Sequence, residues 1–131
     1  TTDVNGKVIK EYEPEVTNTI DDISDNTWNL LHQGMIAMVQ DMSQFNGMEI
    51  SMAGKTGTAQ ENSRANHAWF ISYGPYTNPE ISVTVNIPYG YTSSNAAAVA
   101  KNVYRLYYGY TSLDEILNAG ALRASNVVIG D

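Results

Sequence analysis

Cysteine is missing from the 131 residues, which excludes disulfides and thiolate metal sites and leaves the redox compartment undetermined. Basic residues are few. Seven Lys and Arg stand against fourteen Asp and Glu, for a formal charge of -7, so the cationic footprint of a nucleic-acid-binding protein is lacking. No apolar run approaches the roughly 20 residues that span a bilayer, and no signal peptide is visible. The two histidines and the scattered acids show no metal-ligand spacing, so neither a metal nor another cofactor is expected. No low-complexity tract occurs. What remains is globular in composition, with 43% hydrophobic residues. That is enough for one domain with a core, or for part of a larger one.

Along the chain, Asn5-Gly6 between Val4 and Val8-Ile9 reads as a hairpin with a type I′ turn over Thr1 to Glu13. Val16 to Ile23 is a polar connection. The spacing of Trp28, Leu31, Met35, Met38, Val39 and Met42 predicts a helix over about 26–42 with one apolar stripe. Ser24 or Asp25 would cap it, the methionines would fill the core, and His32 falls off the stripe. A strand then runs from Met48 through Lys55, with Ile50, Met52 and Gly54 on one face. A polar turn over 61–66 leads to a second strand, His67 to Tyr73, in which Trp69 and Ile71 share one face and Phe70 and Ser72 the other. Trp69 is expected to pack on the helices. Ile81, Val83, Val85 and Ile87 alternate with Ser82, Thr84 and Asn86 in a third strand.

Short links between consecutive strands favour an antiparallel meander covered by helices, an α+β fold. A last long helix is predicted over about 94–108, with Ala96, Val99, Ala100, Val103, Leu106 and Tyr107 as its apolar side, Gly109 as its terminator and its tyrosines packed with wet hydroxyls. Residues 1–109 form the body of the domain and 110–131 a tail. In that tail Ser112 to Glu115 is a capping box opening a short helix through Asn118, followed by loose chain.

The chemistry concentrates in Gly54-Lys55-Thr56-Gly57-Thr58-Ala59-Gln60. An interior glycine weakens a strand and often marks a close approach by a ligand or another backbone. This one stands between two threonines and directly after a lysine, so the strand edge offers an ammonium, two hydroxyls and bare backbone. These groups suit an anionic or carbonyl-bearing ligand lying along the strand.

Lys55-Thr56-Gly57 resembles the Lys-Thr-Gly motif of penicillin-binding proteins and serine β-lactamases. With its flanks, and with His67-Ala68-Trp69-Phe70-Ile71-Ser72-Tyr73-Gly74-Pro75 following, it resembles the third and fourth strands of class B penicillin-binding transpeptidases, the elongation type especially. The helix from Asn95 to Tyr108 is similar to the C-terminal helix of that fold. The resemblance covers about 4–109. It implies the C-terminal part of a D,D-transpeptidase domain, which cross-links peptidoglycan stem peptides through a serine acyl-enzyme. It also implies work on the outer face of the bacterial membrane, tethered by a helix upstream of Thr1.

By the same resemblance, Lys55 would hold positive charge near the substrate carboxylate and assist proton traffic. Thr58 would give a backbone N–H to the oxyanion hole and a hydroxyl to the terminal carboxylate of D-Ala-D-Ala or of a β-lactam. Thr56 would position the strand or the ligand, and Gly57 would admit the acyl chain. The nucleophile belongs to a Ser-x-x-Lys motif, and none of this chain's serines is followed by Lys at that spacing. The family's order places it upstream, so the segment alone is expected to be inactive. Ser24-Asp25-Asn26 spells another motif of the superfamily, but it lies too close to Lys55 and is read as a helix cap. His67 begins the strand beside Lys55 and reads as an ordinary strand-end residue with a lesser claim on the cleft. A β-lactam sensor or a catalytically silent binding module on the same sheet is the alternative. Without its upstream strands the sheet would expose an edge and an apolar face, which implies marginal stability or a homodimer of the segment.

Overall fold

The computed structural model describes residues 1–60 and 63–119. Its centre is a three-stranded antiparallel sheet in the order β1-β2-β3, with β1 at Ala53–Ala59, β2 at His67–Gly74 and β3 at Ile81–Ile87. Helix α1 (Asp25–Asp41) precedes the sheet, α2 (Ser93–Tyr107) follows it, and α3 (Leu113–Asn118) closes the described chain. No helix among the described residues is long and apolar enough to cross a membrane.

Alternation decides which face of the sheet is covered. Ala68, Phe70 and Ser72 are buried, and they pair across the ladder with Ile87, Val85 and Val83, so these six side chains share one face. Helix α2 packs on that face through Ala96, Ala97, Ala100 and Tyr104, each fully buried. The alanines let the helix come close, and Tyr104 reaches across to donate its hydroxyl to Ser72 Oγ at 3.2 Å. Ser72 in turn donates to the Val83 carbonyl at 3.0 Å, so the buried hydroxyls are satisfied. Burial pushes the Tyr104 hydroxyl above its ordinary pKa.

The expected apolar side of α2 is therefore corrected by part of a turn. Ala96 and Ala100 face the sheet, but Val99, Val103, Leu106 and Tyr107 are exposed, at 40% or more. They form a second apolar stripe. A helix apolar on two sides belongs between two layers, and the described chain supplies one.

Trp69 is corrected in the same way. It shares a face with Ile71 as expected, but the two are 41% and 46% exposed and lie on the face opposite the one α2 covers. Phe70 is the residue that packs inward, with its ring stacked on Phe45 at 5.6 Å.

Helix α1 begins where the cap was expected. Ser24 Oγ accepts the Thr27 N–H at 3.2 Å, which confirms Ser24-Asp25-Asn26 as a helix start. Only the C-terminal half of its stripe is covered: Val39 is buried and Met35, Met38 and Met42 are half-buried, whereas Leu31 is 50% and Trp28 36% exposed. Schellman geometry ends α2, since Gly109 (φ +75°) donates to the Leu106 carbonyl and Tyr110 to that of Arg105. The capping box of Ser112 and Glu115 opens α3 as expected. The expected loose chain over 120–131, and Glu61 and Asn62 of the polar turn, lie outside the described residues.

Two local expectations shrink. The N-terminal hairpin is reduced to one bridge, Thr2 with Val8. Gly6 takes positive φ and Asn5 does not, because Asp3 Oδ1 accepts the N–H groups of Asn5 and Lys7 and shapes the turn instead. A two-stranded hairpin with nothing to pack on is marginal, and Val4 is fully exposed. Strand β1 also starts at Ala53 and not at Met48. Its partner β2 ends at Gly74, opposite Ala53 at Tyr73, so earlier residues have no ladder to join. Ile50 and Met52 are buried there as coil.

Arg105 ties α2 to that coil. Its Nε and Nη2 donate to the two Glu49 carboxylate oxygens at 3.2 and 3.1 Å. Glu49's own backbone N–H, and then Arg105, hold the carboxyl below its ordinary pKa of 4.5. The folded pKa lies below the unfolded one, so this stabilisation is complete above pH 4.5 and is lost as pH falls through the folded value. The urea midpoint should drop on acidification through that window, and Glu49→Gln should flatten part of the drop. An identical pH profile for wild type and variant would rule out the linkage.

Candidate active site

The strand that carries the lysine is an outer strand. β1 pairs only with β2, and no strand lies on its other edge among the described residues. Its two glycines have distinct packing reasons. A Cβ at Gly54 would stand 2.7 Å from Phe70 Cζ and 2.9 Å from the Ile71 carbonyl oxygen, so the Phe70 ring occupies the space a side chain would need. A Cβ at Gly57 would meet Trp69 Cβ at 3.3 Å, on the open face. The backbone at Gly57 is consequently bare on the side away from α2.

Register divides the four motif residues between the faces. Lys55 pairs with Ile71 and Gly57 with Trp69, on the open face. Thr56 pairs with Phe70 and Thr58 with Ala68, on the α2 side. Both threonines are half-buried and Lys55 is exposed. Lys55 folds back along the strand, with Nζ donating to the Thr56 carbonyl at 2.8 Å and lying 3.4 Å from its hydroxyl. The ammonium and the Thr56 hydroxyl are thus brought together at the free edge, with bare backbone next in line. An anion or an extended acyl chain can be held along such an edge by charge and main-chain hydrogen bonds.

His67 opens β2 opposite Ala59, one rung beyond Thr58. It stacks on Tyr89 at 4.9 Å between ring centroids, and Arg64 Nη1 donates to the Tyr89 hydroxyl at 2.7 Å. Tyr89 is not one of the tyrosines of α2. It stands in the β3–α2 loop with φ +55°, and Tyr91 follows with φ +67°. Left-handed backbone at a residue other than glycine costs on the order of 1–3 kcal/mol and persists where surrounding contacts impose it. Here Tyr91 donates its N–H to the Asn66 carbonyl at 3.1 Å, and Asn95 Nδ2 donates to the Gly90 carbonyl at 2.7 Å. The only trace of this cluster in the sequence was Tyr-Gly-Tyr after a strand, which does not reveal its partners.

Elsewhere, His32 is exposed, with Nδ1 at hydrogen-bond distance from the Tyr73 hydroxyl. A pocket of about 300 Å³ lined by Val39, Phe45, Met48, Ile50, Met52 and Tyr76 lies at the start of β1, the end remote from Thr58. Among the described residues no group of three or more His, Cys, Asp or Glu could hold a metal ion.

Comparison with known proteins places this strand in context. The family model for the penicillin-binding protein transpeptidase domain matches residues 4–105. Penicillin-binding protein 2B of Streptococcus pneumoniae is 30% identical over 118 residues, which cover 80% of this chain and 17% of that protein. Its solved structure superposes with a TM-score of 0.62 at 28% identity, over 83% of this chain and 20% of that one. The peptidoglycan D,D-transpeptidase MrdA of Haemophilus influenzae is 33% identical over 126 residues, covering 79% of this chain and 19% of that protein. An imipenem acyl-enzyme complex of penicillin-binding protein A from Mycobacterium tuberculosis superposes with a TM-score of 0.58 at 25% identity, over 66% of this chain and 20% of that one. This chain spans less than a fifth of the length of the two sequence relatives. It belongs to the penicillin-binding protein transpeptidase family, as part of the transpeptidase domain of a class B member.

Proposed function

We propose that Lys55 to Thr58 form one wall of the active site of a full-length peptidoglycan D,D-transpeptidase of the elongation type. The observation that carries this reading is the placement of Lys-Thr-Gly-Thr along a sheet edge that no other strand among the described residues adjoins. In it, Lys55 supplies positive charge to the substrate carboxylate and steadies proton transfer from the serine that attacks. The Thr58 N–H stabilises the oxyanion, and its hydroxyl meets the terminal carboxylate of a D-Ala-D-Ala stem peptide or of a β-lactam. Thr56 positions the strand, and the bare backbone at Gly57 lets the acyl chain lie close. The serine comes from the remainder of the protein, since no Ser-x-x-Lys occurs in these residues.

The uncovered surfaces support the same reading. Trp69 and Ile71 on the sheet, and Val99, Val103 and Leu106 on α2, are exposed apolar residues on two sides of the unit. The rest of the transpeptidase domain covers them, in place of a second copy of the segment. The full-length protein then works on the outer face of the bacterial membrane, where stem peptides are.

The test is labelling with a fluorescent penicillin. The full-length protein should take up one equivalent: a serine Oγ bonds to the lactam carbonyl, the C–N bond opens, and the proton passes to nitrogen. The 131-residue segment should take up none. Stoichiometric labelling of the segment, lost on changing one serine, would overturn the assignment of the nucleophile. Reversible binding by the full-length protein without any labelling would favour a silent binding module.

A further inference from the structure

We infer that Arg64 and Tyr89 form a clamp between the β1–β2 and β3–α2 loops, which positions the Thr58 rung of the sheet for acylation. The inference rests on the reading of Thr58 as an oxyanion donor. Four contacts build it. Arg64 donates to the Tyr89 hydroxyl at 2.7 Å and its guanidinium lies 5.6 Å from the ring centroid. His67 stacks on the same ring. Tyr91 and Asn66 join the loop to the chain just before β2 by a main-chain hydrogen bond. Gly90, between the two left-handed tyrosines, is pressed against the sheet, where an added Cβ would stand 2.9 Å from Ala68 Cβ and 2.8 Å from Ile87 Cβ.

Ala68 is the ladder partner of Thr58, and His67 that of Ala59. The loop therefore backs the rung on which Thr58 sits, from the face that Thr58 and Ala68 share. The tie that holds the loop down is anchored on Arg64, which leads out of the same strand pair. Releasing the tie frees Gly90 to lift from Ala68 and lets the Thr58 end of β1 drift, without removing any group that meets the ligand. Arg64 and Tyr89 are positioning residues in this account.

The experiment separates positioning from binding. In the full-length protein, Tyr89→Phe, Arg64→Met and the double variant are compared by stopped-flow acylation with a chromogenic cephalosporin, resolving the non-covalent dissociation constant from the acylation rate constant. Thermal melting is followed in parallel. A donor that acts in the transition state is felt in the rate constant and not in ground-state binding. Each single variant should lower the acylation rate constant about five- to tenfold, with the dissociation constant and Tm unchanged. The double variant should be no slower than the slower single variant, because both changes release one tie. A raised dissociation constant with an intact rate constant would make Tyr89 a ligand contact and overturn the inference. So would wild-type rates in all three variants, or losses that only track a lower Tm. A wild-type protein that takes up no label would overturn the reading of the site itself, and this inference with it.

Discussion

Lys55→Met in the full-length protein should slow acylation by a β-lactam about 10²- to 10⁴-fold, the range typical of a positioned group that assists proton transfer. The fold should not notice. Lys55 is exposed and, among the described residues, its Nζ bonds to the residue that follows it, and surface changes of this kind stay within about 0.5 kcal/mol. Methionine keeps the aliphatic stem and removes the charge, so packing against Ile71 across the ladder is retained. Burst kinetics with a chromogenic cephalosporin measure the rate, and a melting curve measures the fold. Wild-type acylation in Lys55→Met would leave the lysine as an ordinary solvated strand residue. A large fall in Tm would make it structural.

The second large effect is on stability. Phe70→Ala should cost about 3–5 kcal/mol, the usual range for removing a fully enclosed phenylalanine. Phe70 is completely buried, stacks on Phe45 and fills the space beside Gly54. Removing it opens a cavity at the junction of β1, β2 and the turn after α1. Trp69→Ala is the matched control. It removes a larger side chain one residue away, but one that is 41% exposed, and the loss should be about 1 kcal/mol or less in the isolated segment. Urea unfolding followed by circular dichroism compares the two. Equal losses would mean that the sheet buries its faces differently from the arrangement described above.

That pair of residues also shows where the sequence is informative. Alternation places Phe70 and Trp69 on opposite faces, and the ladder agrees. Which face is covered is not a local property: it depends on α2, and α2 carries apolar residues on two sides. The larger ones, Val99, Val103 and Leu106, drew the helix's apolar side toward themselves in the sequence reading. Close packing against the sheet instead selects Ala96, Ala97 and Ala100, because Phe70 and Tyr104 already fill the space between the layers. Features set by neighbouring residues were legible, namely the Ser24 cap, the Gly109 terminator, the Ser112 capping box and all three strands. The Lys55 motif was legible as a set of groups along one strand, since its residues are contiguous. The Arg64–Tyr89 contact was not, because it joins two loops 25 residues apart and no local pattern encodes which loop tips meet.

Both tryptophans are partly exposed, Trp28 on α1 at 36% and Trp69 on the open face of β2 at 41%. The chain has no others. The exposed surface consequently carries its own optical reporter. Indole emission shifts to the red in water and to the blue when the ring is enclosed. The isolated segment should therefore fluoresce like a partly unfolded protein even when its core is intact, and unfolding should move the emission little. Enclosure of these two rings by the remainder of the domain would be seen directly as a blue shift, which makes assembly of the two parts measurable without any added label.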